Sequence, residues 1–171
     1  MLWKLRLFWY RLDPAALAAA VFALLVMGVL AVAADSALGF RDVRQAAVRD
    51  FHARSIDCLA RNVYYEARGE PLRGQYAVAE VTMNRKSALG YPKTVCEVVY
   101  QKAAFSWTGE RVGRPAGAEW RRALKIADDV YYQRHAATLP GVTHYHATNV
   151  RPEWSKERRR VARIGRHVFY R

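Results

Sequence analysis

The stretch SIDCLARNVYYEARGEP, residues 55–71, decides how this chain is read. Ser55 offers a capping hydroxyl and Asp57 an acid for the first turn, so the spacing predicts a helix starting at Ser55. Leu59, Val63 and Glu66 follow at i, i+4 and i+7, which puts a carboxyl group on the apolar face. Gly69 and Pro71 then stop the helix. A carboxylate on that face looks into a core or a cleft, where desolvation raises its pKa by penalising the charged form. A glutamate held protonated near neutral pH is what a general acid requires. The same spacing also suits a structural ion pair with Arg61, Arg68 or Arg85, and periodicity does not choose between the two.

Downstream, a second helix is expected from Gly74 to Arg85, with Ala77, Val78, Val81 and Thr82 inward. Gly90-Tyr91-Pro92 breaks the chain, and Thr94 caps a short helix bearing Val95, Val98 and Val99. Phe105-Ser106-Trp107 opens a loop. Trp120, Leu124, Ala127 and Tyr131 recur at helical spacing over roughly 119–134. Leu139-Pro140-Gly141 is a turn; residues 142–147 and 161–169 read as strands, with a polar excursion at 151–160 between them. The fold class is therefore α+β, mostly helical with a small C-terminal β element, over 55–171.

Upstream, residues 14–34 carry no charge and are bounded by Asp13 and Asp35. As a helix they measure about 31 Å, the thickness of a bilayer's hydrocarbon core. Lys4, Arg6 and Arg11 precede the span, interleaved with Trp3, Phe8, Trp9 and Tyr10. Basic residues there predict a cytoplasmic N-terminus, and the aromatic rings suit the headgroup interface. The chain thus divides into a basic, aromatic segment at 1–13, a transmembrane helix at 14–34, a polar linker at 35–54 and an exported domain at 55–171. A cleaved signal peptide is the rival reading, since Ala31-Val32-Ala33 has the small-x-small form of a processing site.

The chain has 171 residues, 28 Lys+Arg against 15 Asp+Glu and a formal charge of +13. Such an excess ordinarily suggests nucleic acid. Export removes that partner and leaves wall carboxylates or anionic lipid; residues 151–171 alone carry a net +6. Two cysteines, Cys58 and Cys96, exclude a disulfide-dense scaffold and a four-cysteine zinc site. Export permits a disulfide between them, and two buried free thiols would read identically. Tyr64, Tyr65, Tyr91, Phe105, Trp107, Tyr145 and Trp154 offer flat faces suited to stacking on sugar rings, or equally to a core. His144 and His146 share one face of a strand; two imidazoles begin a metal site without completing it, so no metal and no cofactor are expected.

The run Cys58-Leu-Ala-Arg-Asn-Val-Tyr-Tyr-Glu-Ala-Arg-Gly-Glu-Pro71, followed by Gly74-Gln75-Tyr-Ala-Val-Ala79 and Asn84-Arg85, resembles the SleB-type cell wall hydrolases. The likeness continues through Tyr91-Pro92, residues 95–100, Phe105-Ser106-Trp107, residues 143–146 and residues 164–170. It implies a lysozyme-like, lytic-transglycosylase-like domain that cleaves peptidoglycan between N-acetylmuramic acid and N-acetylglucosamine. The motif's first glutamate corresponds to Glu66, implied as general acid/base; Glu70, Gln75, Phe105, Trp107, His144 and Tyr145 are the implied substrate contacts. An ordinary hydrolase would need a second carboxylate; of Glu70, Glu80 and Glu153, none is clearly placed for it. Relatives carrying extra cysteines near Phe105-Ser106-Trp107 leave the pairing of Cys58 and Cys96 open here. The expected setting is the inner membrane, single-pass through 14–34, with the catalytic domain in the periplasm. The rival functions are a non-catalytic wall-binding module and a metal-dependent hydrolase using His144 and His146. The sequence carries no signal for oligomeric state.

Overall fold

The computed structural model describes residues 13–171; the basic and aromatic segment expected at 1–13 lies, but for Asp13, outside the described residues. The chain forms two compact units, one ending at Arg49 and one spanning Asp50–Arg171.

Helix α1, Pro14–Ala67, runs through both units. It begins at Asp13, whose carboxylate accepts from the Ala15 amide at 2.9 Å and so satisfies one of the free N-terminal N–H groups. In the first unit every described side chain is exposed, including Phe22, Leu24, Leu25, Val29 and Leu30. This part is long and apolar enough to cross a membrane. The stretch at 35–54, expected as a linker or stalk with some helix, is helical throughout. No helix starts at Ser55 either: its hydroxyl donates to the Phe51 carbonyl at 2.9 Å, back-bonding one turn within a continuing helix.

In the second unit, α1 buries Cys58, Leu59, Ala60, Asn62, Val63 and Tyr64. Helix α2 (Leu72–Ser87) follows Pro71, which supplies no amide at a position where none is needed. Helix α3 (Val95–Val99) has a full capping box: Thr94 Oγ1 accepts from the Glu97 amide, and the Glu97 carboxylate accepts from the Thr94 amide, each at 3.2 Å. Helix α4 (Gly117–Tyr131) buries Ala123, Ile126, Ala127 and Val130. Its inward stripe is thus centred beside the expected one, with Trp120, Leu124 and Tyr131 along the margin.

Strands β1 (His144–Ala147), β2 (Arg160–Ile164) and β3 (His167–Tyr170) form an antiparallel sheet in the order β1-β3-β2. The strand expected over 161–169 is in fact the β2–β3 hairpin. Gly165, at φ +56°, makes the turn; a Cβ there would run into the Glu70 carboxylate, so only glycine fits. Central β3 is buried along its whole length, as a strand paired on both edges requires.

Two apolar cores result. One joins Leu59, Val63, Val95, Val99, Phe105, Trp107, Ile126 and Val130. The other lies between α2 and the sheet, around Ala77, Val81, Leu139, Val142, Ile164 and Phe169. Tyr145 packs against both. Cys58 and Cys96 form a disulfide that ties α1 to α3.

Candidate active site

Glu66 lies on the last turn of α1, and Tyr145 lies mid-strand in β1. Register sets the tyrosine: Tyr145 pairs with Phe169, which is fully buried, so its ring turns into the fold. The Tyr145 hydroxyl donates to Glu66 Oε2 at 2.9 Å. Burial raises the Glu66 pKa; the Tyr145 hydrogen bond and the Arg85 charge pull the other way without cancelling it. Burial beside this carboxylate also pushes the Tyr145 hydroxyl well above its ordinary value, so it remains a donor.

The pair opens into a cleft of about 190 Å³ lined by Glu66, Arg85, Phe105, Tyr145, His146 and His167 among others. Arg85 donates from Nε to the Thr143 carbonyl at 2.7 Å, and its guanidinium lies 5.1 Å from the centre of the Phe105 ring. It contributes positive charge to Glu66 without a direct ion pair, unlike the structural pairing that the sequence left open. His146 engages both ring nitrogens, with the Ala147 carbonyl and the Tyr170 hydroxyl, each at 2.9 Å. His167 is buried, and its Nδ1 has no hydrogen-bond partner among the described residues. Burial lowers its pKa, favouring the neutral ring.

The other expected contacts separate. Glu70 is buried, and its carboxylate accepts from the Arg166 amide and Nε, both at 2.8 Å; it pins the β2–β3 turn and does not line the cleft. Gln75 is likewise buried, donating to the Glu70 carbonyl at 2.9 Å. Both positions hold the α1–α2 junction, and neither lines the Glu66 cleft. Trp107 stands behind Phe105, its Nε1 donating to Asn62 Oδ1 at 3.1 Å inside the core. His144 faces away from Tyr145: its ring packs on Trp154, and burial together with the Arg158 and Arg85 charges lowers its pKa to about 4.

His144 and His146 do share the Trp154 side of the sheet. Among the described residues, no three His, Cys, Asp or Glu side chains converge as metal ligands. Glu80 accepts from the Thr138 and Leu139 amides at 2.9 and 2.7 Å and sits 3.1 Å from His135. Glu153 pairs with Lys156 at 2.9 Å on the surface. Glu66 is therefore the one carboxyl group in the cleft among the described residues. Of the two histidines that the sequence set on one face of a strand, His146 lines the cleft; His167 joins it through the β1–β3 register, which sets it opposite Ala147.

A helical domain closed by three short strands is similar in fold to the SleB catalytic domains. Those of Bacillus cereus and Bacillus anthracis superpose with TM-scores of 0.53 and 0.58, each at 27% identity; both cover 68% of this chain, and 89% and 93% of the respective structures. The Cell Wall Hydrolase family profile matches residues 69–170, and the chain belongs to that family. Spore cortex-lytic enzymes are similar in sequence: that of Bacillus subtilis at 29% identity over 70% of this chain, and that of Halalkalibacterium halodurans at 33% over 67%. The matched segment spans only 38% and 34% of those two proteins, so the chain corresponds to well under half of their length.

Proposed function

We propose that this chain cleaves peptidoglycan glycan strands between N-acetylmuramic acid and N-acetylglucosamine as a lytic transglycosylase. The supporting observation is the lone cleft carboxyl group, its pKa raised by burial and its orientation held by Tyr145. Glu66 gives its proton to the glycosidic oxygen as the bond to the muramic C1 breaks. The resulting carboxylate then takes the proton of the muramic C6 hydroxyl, whose oxygen bonds to C1 and closes a 1,6-anhydro ring. No second carboxylate is needed, and Glu70, Glu80 and Glu153 are each engaged elsewhere. The B. anthracis structure is described as a germination-specific lytic transglycosylase, which favours the same chemistry.

Residues 14–34 serve in this reading as a retained single-pass anchor, with the domain outside the cytoplasm and within reach of the wall. The uncharged run of 21 residues exceeds the usual apolar region of a signal peptide, about 7–15 residues, and so favours retention.

The test is digestion of purified peptidoglycan by the full-length chain in detergent micelles, with products identified by mass spectrometry. Anhydro-muropeptides are expected from the wild type, and a loss of about 10²–10⁴-fold from Glu66→Gln. Reducing-end products would instead mean hydrolysis. Undiminished cleavage by Glu66→Gln would remove Glu66 from the mechanism.

A further inference from the structure

A second concavity, of about 560 Å³, adjoins the Glu66 cleft, with Phe105 and Ser106 lining both. Its other walls include Tyr100, Lys102, Ala103 and Thr108. Lys102 is its one charged lining residue; it is exposed and forms no ion pair among the described residues. Ala103, at φ +60°, holds a left-handed conformation that a side-chain-bearing residue rarely adopts, and such strain collects at functional positions. Tyr100 presents a half-exposed ring set edge-on to Trp107, with ring centres 5.8 Å apart. Cation, hydroxyl and aromatic face together suit a short acidic peptide, whose carboxylates, amides and side chains can meet all three; N-acetylglucosamine offers no charge for the ammonium, and a stem-free muramic residue offers only its lactyl carboxylate.

Building on the function proposed above, we infer that this pocket holds the peptide stem borne by the muramic acid beside the scissile bond, with Lys102 pairing with a stem carboxylate. The stem leaves the sugar through the lactyl group on C3. A muramic residue seated against Glu66 must therefore lay its peptide on surface next to the cleft, and the Phe105–Ser106 wall is shared by both spaces. The enzyme thereby distinguishes stem-bearing strands from stripped ones by affinity, and the chemistry at Glu66 is the same for both.

The test compares length-matched glycan strands with stems intact and with stems removed by an amidase and the freed lactyl carboxylates capped as methylamides, using full-length wild type, Lys102→Ala and Lys102→Arg in micelles. On stem-bearing strands, Lys102→Ala is expected to raise KM about tenfold, the scale of one lost charge-assisted hydrogen bond, with kcat kept and Lys102→Arg restoring KM. On stripped strands all three proteins should perform alike, which also reports that the variants are folded. Equal losses on both substrates would mean that the pocket takes a sugar and would overturn the inference, as would no loss on either. A wild type inactive on both substrates would overturn the glycan-cleavage reading and this one together.

Discussion

At the scale of single residues, the chemistry proposed for Glu66 turns on how it and Tyr145 bias each other. Burial favours the neutral carboxyl group, whereas the Tyr145 hydrogen bond and the Arg85 charge favour the anion, and burial prevails. A general acid works while protonated, so activity should fall on the alkaline side as pH rises through the Glu66 pKa. Tyr145→Phe deletes a bond that stabilises the anion and should move that alkaline limb to higher pH. The measurement is the rate of anhydro-muropeptide release across pH. A limb that stays in place would show that Tyr145 does not tune this group, and one that moves down would show that its hydroxyl favours the protonated form instead.

At the scale of elements, two cross-connections hold the site in shape. Glu70, in the α1–α2 junction, grips the β2–β3 turn through Arg166. Desolvation pushes its pKa up, but the Arg166 amide and guanidinium overcome this and leave it below its ordinary value. A depressed carboxyl contributes stability that is complete above the unfolded-state pKa of about 4.3 and is lost as pH falls through the lower folded value. Glu70→Gln should therefore cost about 1–2 kcal/mol at pH 7, the estimate allowing for the exposed Arg166 side chain, and little in strong acid. Thermal unfolding followed by circular dichroism at the two pH values tests this; an equal cost at both would point to shape rather than charge. The second connection is the disulfide, which closes a separation of 38 residues. By loop-closure entropy it contributes about 3–4 kcal/mol. Reductant, or Cys58→Ser with Cys96→Ser, should lower the unfolding midpoint of the second unit, and an unchanged midpoint would assign the bridge no role in stability.

At the scale of the whole molecule, the two units present different surfaces. The first exposes an apolar helix that is costly in water, and the second closes its own cores. If residues 14–34 remain as an anchor, full-length chain beginning at Met1 should sediment with membranes and resist carbonate extraction. A soluble product beginning at Ala34 would identify a cleaved signal peptide.

Much of this organisation was legible from local pattern. The apolar run from residue 14 to 34 needs no partner to be read, because length and lack of charge suffice. The α2 face, the Thr94 cap and Glu66 on an apolar stripe followed from periodicity and capping chemistry, which act within a few residues. Ser55 misled because a hydroxyl that can cap a helix can also back-bond within one, and only the continuing chain decides. The strand over 161–169 was misread because Gly165 turns where Glu70, far away in sequence, waits to bind the turn. The partners of Glu70 and Gln75 were hidden for the same reason: a polar motif residue looks alike whether it meets substrate or another part of the fold. Sequence by itself determined the helical domain, the apolar segment and the position of the acid. Only tertiary structure decided which residues surround that acid, since strand register and the Tyr145–Glu66 hydrogen bond join residues distant along the chain.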